Sequence, residues 1–285
     1  MKKFFATICA ACLTACLLVT GCGGGEETSK PASKDKATIG VITHLNASET
    51  EYNEHMRKLE KIYRPSKANL SANYKYFDTM KEMILALNAG QIDILSTYRN
   101  VADYMMKNST DKEILPVEKN LSDSFCFAVR KGDGALKAEL DKAIREMVTD
   151  GTLNNFTKRY IVELNAGAQP PAIPINRIPD ADTLKVAVTG DLPPFDMILA
   201  DGTPAGFNTA VLAEVSKRIG KNIELVTVDS GARATALTSK QVDVVFWVAV
   251  PKDSTLVPEN IDKPEGIDLS EPYYSDNIAY VGLKK

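Results

Sequence analysis

Gly190-Asp191-Leu192-Pro193-Pro194-Phe195 is the stretch on which the reading turns, because of what flanks it within Thr183–Tyr274. The runs Leu184–Val188, Ile223–Val228 and Val242–Val250 are Val-rich without polar alternation, the pattern of parallel strands covered on both faces. Between the first two, Val211, Leu212, Val215 and Ile219 share one helical face of Asn208–Gly220, where Asn208 suits an N-cap and Gly220 a left-handed stop. The order β-α-β-α-β predicts an α/β sheet whose cleft lies beyond the carboxyl ends of its strands.

Working toward the N-terminus, 165–182 is Pro/Ala-rich (Pro170, Pro171, Pro174, Pro179) with no apolar period and reads as an extended linker. Before it the same alternation recurs. Strands are expected at Thr38–Thr43, Tyr74–Phe77, Ile92–Ser96, Glu113–Pro116 and Phe125–Arg130. Helices are expected at Glu49–Lys61, from Thr79 to Gly90, at Val101–Lys107, at Ala135–Thr149 and from Gly151 through Tyr160. Thr79 with Glu82 forms a capping box.

The 285 residues are 44% apolar and 25% charged, an ordinary globular balance with room for two lobes. A net charge of −3 and the lack of a Lys/Arg-rich run exclude nucleic acid as a partner. Lys2 and Lys3 ahead of apolar Phe4–Val19 read as a secretory signal over 1–21. Leu18-Val19-Thr20-Gly21-Cys22 resembles the bacterial lipoprotein box, which implies lipidation at Cys22 and a hold on the membrane surface. Residues 22–37 read as a solvated tether. Cys9, Cys12 and Cys16 lie in the signal, so Cys126 alone stays in the body of the protein and forms no internal disulfide. His44 and His55 match no zinc pattern, and no Walker, dinucleotide or Gly-x-Ser-x-Gly motif is present, so neither metal nor cofactor is expected.

The ordered motifs Leu184-Lys185-Val186-Ala187-Val188, Asp191…Pro193-Pro194-Phe195, Gly202…Gly206-Phe207-Asn208, Ala236–Asp243 and Asp268–Tyr274 resemble the opening half of a bacterial extracytoplasmic solute-binding protein of the polar amino-acid type, family 3. Phe127–Asp133, Asp150–Leu153 and Lys158-Arg159-Tyr160 resemble that family's closing segment. Thr38-Ile39-Gly40-Val41 and Leu85–Asp93 resemble its second lobe. The halves stand in exchanged order, so the resemblance implies a two-lobed, periplasmic-binding-protein-like (type II) α/β fold, circularly permuted, each lobe a mostly parallel sheet flanked by helices. Residues 38–128 would form the second lobe, 129–164 helices packing on the first lobe, 183–277 the first-lobe core and 278–285 a crossover strand.

The resemblance further implies a binding protein rather than an enzyme. It would be a monomeric, lipid-anchored, extracytoplasmic protein that captures a small polar ligand, amino-acid-like or carboxylate-bearing, and delivers it to an ABC transporter permease. A ligand-sensing lipoprotein without transport and a dehydratase-like enzyme on the same fold, with Glu49 or Asp191 as its acid, are the alternatives. The family's carboxylate-binding Arg has no counterpart in Lys252–Thr255, and its ammonium-binding Asp falls on Tyr98. Candidate ligand contacts are Arg233, at a helix start, whose guanidinium suits a carboxylate; Asn46 and Ser48, preceding another helix; Tyr98; Asp191 and Leu192; and Trp247 and Val248 near the cleft end of the central strand. Strand alternation and the family pattern turn Val248 and Val250 toward the pocket, so that for Trp247 packing in the core stands as an alternative to ligand contact.

Overall fold

The computed structural model describes residues 36–43, 53, 72–117, 120–252 and 266–284, and these fall in one compact unit. Asn46, Ser48, His44, Glu49, Cys22, the helix expected at Glu49–Lys61 apart from Asn53, the signal and nearly all of the tether lie outside the described residues.

In chain order the elements are β1 (Thr38–Ile42), β2 (Asn73–Phe77), α1 (Met80–Asn88), β3 (Ile94–Tyr98), α2 (Arg99–Lys107), β4 (Lys112–Leu115), β5 (Ser122–Arg130), α3 (Gly134–Thr149) and α4 (Thr152–Thr157). A π-helical turn, Lys158–Val162, leads into α5 (Glu163–Asn165). Then come β6 (Thr183–Val188), β7 (Asp191–Leu192), β8 (Asp196–Ile198), β9 (Pro204–Ala205), α6 (Phe207–Ile219) and β10 (Asn222–Thr227). A 3₁₀ turn, Ser230–Ala232, enters α7 (Arg233–Thr238), and β11 (Val244–Pro251), β12 (Ile267–Leu269) and β13 (Tyr274–Leu283) follow.

Among the described residues one mixed sheet runs β10-β6-β11-β5-β13-β3-β1-β2, with β12 paired to β5 and β4 to β13. Its two ends have the same plan. In one lobe β10, β6 and β11 are parallel, β5 pairs antiparallel with β11, and β12 pairs antiparallel with the outgoing end of β5. In the other, β2, β1 and β3 are parallel, β13 pairs antiparallel with β3, and β4 pairs antiparallel with β13. Each lobe takes its antiparallel strand from chain that arrives out of the other. β5 and β13 meet between the lobes, with Tyr274 opposite Phe125 and Asn277 opposite Ser122. Two crossing strands side by side form a hinge of the kind that permits lobe closure.

Local chemistry explains most element ends. The Glu82 N–H donates to Thr79 Oγ1 at 3.2 Å, which satisfies a free donor of α1. Gly220 stops α6 at φ 66°. Asn208 does not cap α6: the cap lies two residues earlier, at Gly206, and Asn208 is buried inside the helix with neither side-chain polar atom bonded among the described residues. Gly206 holds the cap position because its φ is 93° and an added Cβ would lie 2.7 Å from the carbonyl oxygens of Pro194 and Phe195.

The strand expected at Ile92–Ser96 is observed two residues later. Ile92 and Asp93 are spent on a turn in which the Asp93 N–H donates to the Thr38 carbonyl and the Asp93 carboxylate accepts from the Thr38 N–H. The segment 165–182 is extended, and it is docked. Ile173 is buried and its N–H donates to the Pro204 carbonyl. The Asn222 side chain accepts from the Ile178 N–H and donates to the Ile178 and Ala181 carbonyls. The helices after β5 do not stay on one lobe: α3 and α4 pack on α6, but Asn165 at the end of α5 donates to Asn100 of α2. Cys126 is buried in β5, where burial and the nearby Asp141 charge push its thiol up to about 12, the state of an inert structural cysteine.

Candidate functional site

A cavity of about 90 Å³ opens between the lobes at the carboxyl ends of β1, β3, β6 and β11. Its polar lining includes Thr43, Thr97, Tyr98 and Asp123 with Asp191 and Arg233, and its apolar lining includes Leu192 and Trp247. For scale, a cavity of roughly 150 Å³ in another protein accommodates benzene, so this site is sized for a molecule of a few heavy atoms.

The aromatic floor is built from distant segments. Trp247 stacks on Phe125 at 3.6 Å between centroids and lies 4.6 Å from Phe195 and 5.8 Å from Tyr98. Tyr98 in turn meets Phe125 edge-on at 4.7 Å, so the two crossing-strand neighbourhoods share one cluster.

Strand parity around Trp247 differs from the expectation. A register shift between Val245 and Val248 in the pairing of β11 with β5, with Trp247 at φ 68°, marks a β-bulge. The bulge reverses the alternation. Trp247 and Ala249 line the cavity, whereas Val248 is buried on the opposite face against Ala128, Val245 and Leu237. A bulge depends on the pairing strand, which periodicity within β11 does not report.

Arg233 is 6% exposed rather than a solvated first-turn residue. Its Nη1 donates to the carbonyls of Phe246 at 3.3 Å and Trp247 at 3.1 Å, and its Nε to Ser230 at 3.4 Å. The guanidinium therefore braces the bulge while facing the cavity.

Asp191 and Leu192 both line the cavity, and Asp191 has an additional task. Its Oδ2 accepts from the Met80 N–H at 2.7 Å, so a carboxylate of one lobe caps the first turn of α1 in the other. The lobes reciprocate. Asp78 Oδ1 accepts from the Gly231 N–H at 3.2 Å, and the Asp78 carbonyl from the Ser230 N–H. A Cβ at Gly231 would stand 2.8 Å from Asp78 Oδ1, so glycine permits the approach. The Gly190 turn itself is held by Asp196, whose Oδ2 accepts from the Thr189 and Gly190 N–H groups, each at 2.9 Å.

Burial pushes the Asp191 carboxyl above the ordinary carboxylate range, against the pull of the Met80 and Lys81 N–H groups. Separation of the lobes would return it to water and to its ordinary value. The closed form thus holds its proton more readily than the open one, so closure is favoured below the ordinary value and loses that advantage as pH rises through the raised one. At neutral pH Asp191→Asn, which keeps an acceptor and loses the charge, is expected to be at least as compact as the parent. Asp78→Ala, which loses an acceptor, is expected to be more open. Radii of gyration from small-angle X-ray scattering at pH 5 and pH 8 check both, and a more open Asp191→Asn would contradict the direction of this linkage.

Asp123 and Thr97 are among the cavity residues that the sequence did not mark as candidates. Asp123 lies in β5, is 9% exposed, and accepts from the Tyr98 hydroxyl at 3.1 Å. Thr97, 6% exposed, has no partner for its Oγ1 among the described residues. The available signal was an acidic residue near the start of an otherwise apolar strand. Among the described residues no group of three or more His, Cys, Asp or Glu side chains is arranged to hold a metal, and no helix is long and apolar enough to cross a membrane.

Comparison with known proteins matches residues 184–285 to the sequence profile of bacterial extracellular solute-binding proteins, family 3. The L-cystine-binding protein TcyA of Bacillus subtilis (strain 168) is 25% identical over 108 residues, which are 38% of this chain and 40% of that protein. The chain thus matches well under half the length of that relative. Among solved structures, a ligand-binding component of an ABC-type import system from Staphylococcus aureus with zinc bound superposes with TM-score 0.44 at 11% identity, covering 87% of this chain and 66% of that one. The GluR0 ligand-binding core in complex with L-glutamate gives 0.40 at 13% identity, covering 89% and 87%.

Proposed function

We propose that this protein is an extracytoplasmic, lipid-anchored solute-binding protein. In this reading it closes two lobes on a small polar ligand, amino-acid-like or carboxylate-bearing, and presents the closed form to an ABC importer. The observation that carries this reading is the cavity between two lobes of like strand order, joined by β5 and β13 and lined by charged, hydroxyl and aromatic groups. Such a site suits capture by closure, because a ligand touching both lobes stabilises the closed state by its differential affinity. The family match over 184–285 supports the same reading.

Circular permutation accounts for the element order. The described chain begins at β1 and ends at β13 in the same lobe, and the docked segment 165–182 joins the last helix to β6. Surface ends in one lobe and a surface join in the other are where permutation is tolerated.

A thermal-shift screen of the purified protein against amino acids, small amines and organic acids tests the function. A ligand at 100 times its Kd stabilises by about 2.7 kcal/mol, well within detection. No shift with any of them would remove the reading. A second reading, a dehydratase-like enzyme, is favoured by one observation: Asp191 is a buried carboxyl in the cleft with its pKa raised. Turnover of a bound hydroxy acid that is lost in Asp191→Asn would establish it, and binding without turnover would dismiss it.

A further inference from the structure

We infer that Asp123, with Tyr98 and Thr97 beside it, seats a protonated nitrogen of the ligand, so that the site selects small ammonium compounds and zwitterions over carboxylates of equal size. The inference rests on the binding-protein reading above and adds to it the ligand's charge type and the residue that reads it.

Three observations converge. Asp123 lines the cavity from β5, and the Tyr98 hydroxyl donates to its Oδ2, which orients the carboxylate from the side of β3. Thr97 Oγ1 is buried at the same wall with no partner among the described residues, and an unbonded hydroxyl costs roughly 1–3 kcal/mol unless something polar meets it. An ammonium has three donors, enough to serve a carboxylate and a hydroxyl together. Trp247 and Tyr98 bring two aromatic rings to the lining of the same cavity, and such rings attract cations.

The charge arrangement supplies the orientation. Arg233 belongs to one lobe and faces the cavity from the Trp247 bulge, and Asp123 stands on the strand that passes between lobes. A zwitterion would place its carboxylate toward Arg233 and its nitrogen toward Asp123. The position where the family resemblance puts an acidic residue holds Tyr98, and the carboxylate it contacts comes from a different strand, 25 residues away in sequence.

Trp247 is the single tryptophan of the chain and lines the cavity, so its emission reports occupancy. The purified full-length protein is titrated with L-alanine, ethylamine, propionate and lactate. L-alanine and ethylamine are expected to bind at least about tenfold more tightly than propionate and lactate, the discrimination of one charge-assisted contact. Asp123→Asn is expected to abolish that preference, by weakening L-alanine and ethylamine about tenfold or more relative to propionate.

Thr97→Val is the second variant. It removes an unbonded hydroxyl, so the melting temperature rises, and affinity for the ammonium ligands falls several-fold; a purely structural role predicts the first change alone. If ammonium ligands bind no better than propionate, or Asp123→Asn retains the preference, or Thr97→Val melts higher with unchanged affinity, the inference is overturned and the binding-protein reading stands. If none of the four ligands nor any compound of the wider screen binds, both are overturned.

Discussion

Phe125→Ala is expected to lower the stability of the whole molecule by about 4 kcal/mol, the range found for deleting a fully buried aromatic ring. Phe125 is 0% exposed and sits where β5 runs beside β13. It stacks on Trp247 at 3.6 Å, meets Tyr98 at 4.7 Å, and has Tyr274 and Phe195 at 6.3 and 6.4 Å. These partners come from both lobes, so the cavity left by the substitution loosens each of them. For a folded body of this size the loss corresponds to a fall in Tm of roughly 10 °C. Calorimetry of the variant, with Trp247 emission followed in parallel, checks it. A variant that melts within about 2 °C of the parent would show that the cluster collapses without loss and does not join the lobes.

Arg233→Ala is expected to cost about 3 kcal/mol of stability and to abolish measurable binding of carboxylate-bearing ligands. The guanidinium holds two adjacent carbonyls, those of Phe246 and Trp247, and Trp247 sits at φ 68°. A non-glycine residue in that region stores on the order of 1–3 kcal/mol, which the surrounding bonds must offset. Removing the guanidinium leaves the carbonyls buried and frees the bulge to relax, with movement of the Trp247 ring. Arg233→Lys is expected to recover less than half of the stability, because an ammonium is a point donor and not a planar fork. Chemical denaturation of the three proteins, read beside ligand titrations, separates the two roles. Normal binding in a destabilised Arg233→Ala would assign Arg233 to the bulge alone.

The two substitutions also show where linear reading succeeds and where it stops. The strand Leu184–Val188 was legible because a strand covered on both faces becomes a continuous apolar run, and β6 lies between β10 and β11. The cap at Thr79 and the stop at Gly220 were legible because each is set within a few residues of chain. Asn208 failed as a cap because Gly206, whose backbone fits against Pro194 and Phe195, takes the cap position two residues earlier.

The site is harder to read because its members meet through contacts distant in sequence. Val248 faces the core because β11 bulges against β5, and that depends on a strand more than a hundred residues away. Asp191 was a candidate ligand contact, and it also caps a helix in the opposite lobe, 111 residues distant in sequence. Asp123 became visible as a cavity residue only when β5 had been threaded between the lobes.

The order of apolar runs and turn residues along the chain was therefore enough to establish two α/β halves and the place of the cleft, since burial on both faces and helix termini leave local marks. Which side chains enter the cleft was decided by packing between the lobes, because a bulge, a crossing strand or a cap offered from the far lobe leaves no periodic trace in the residues that provide it.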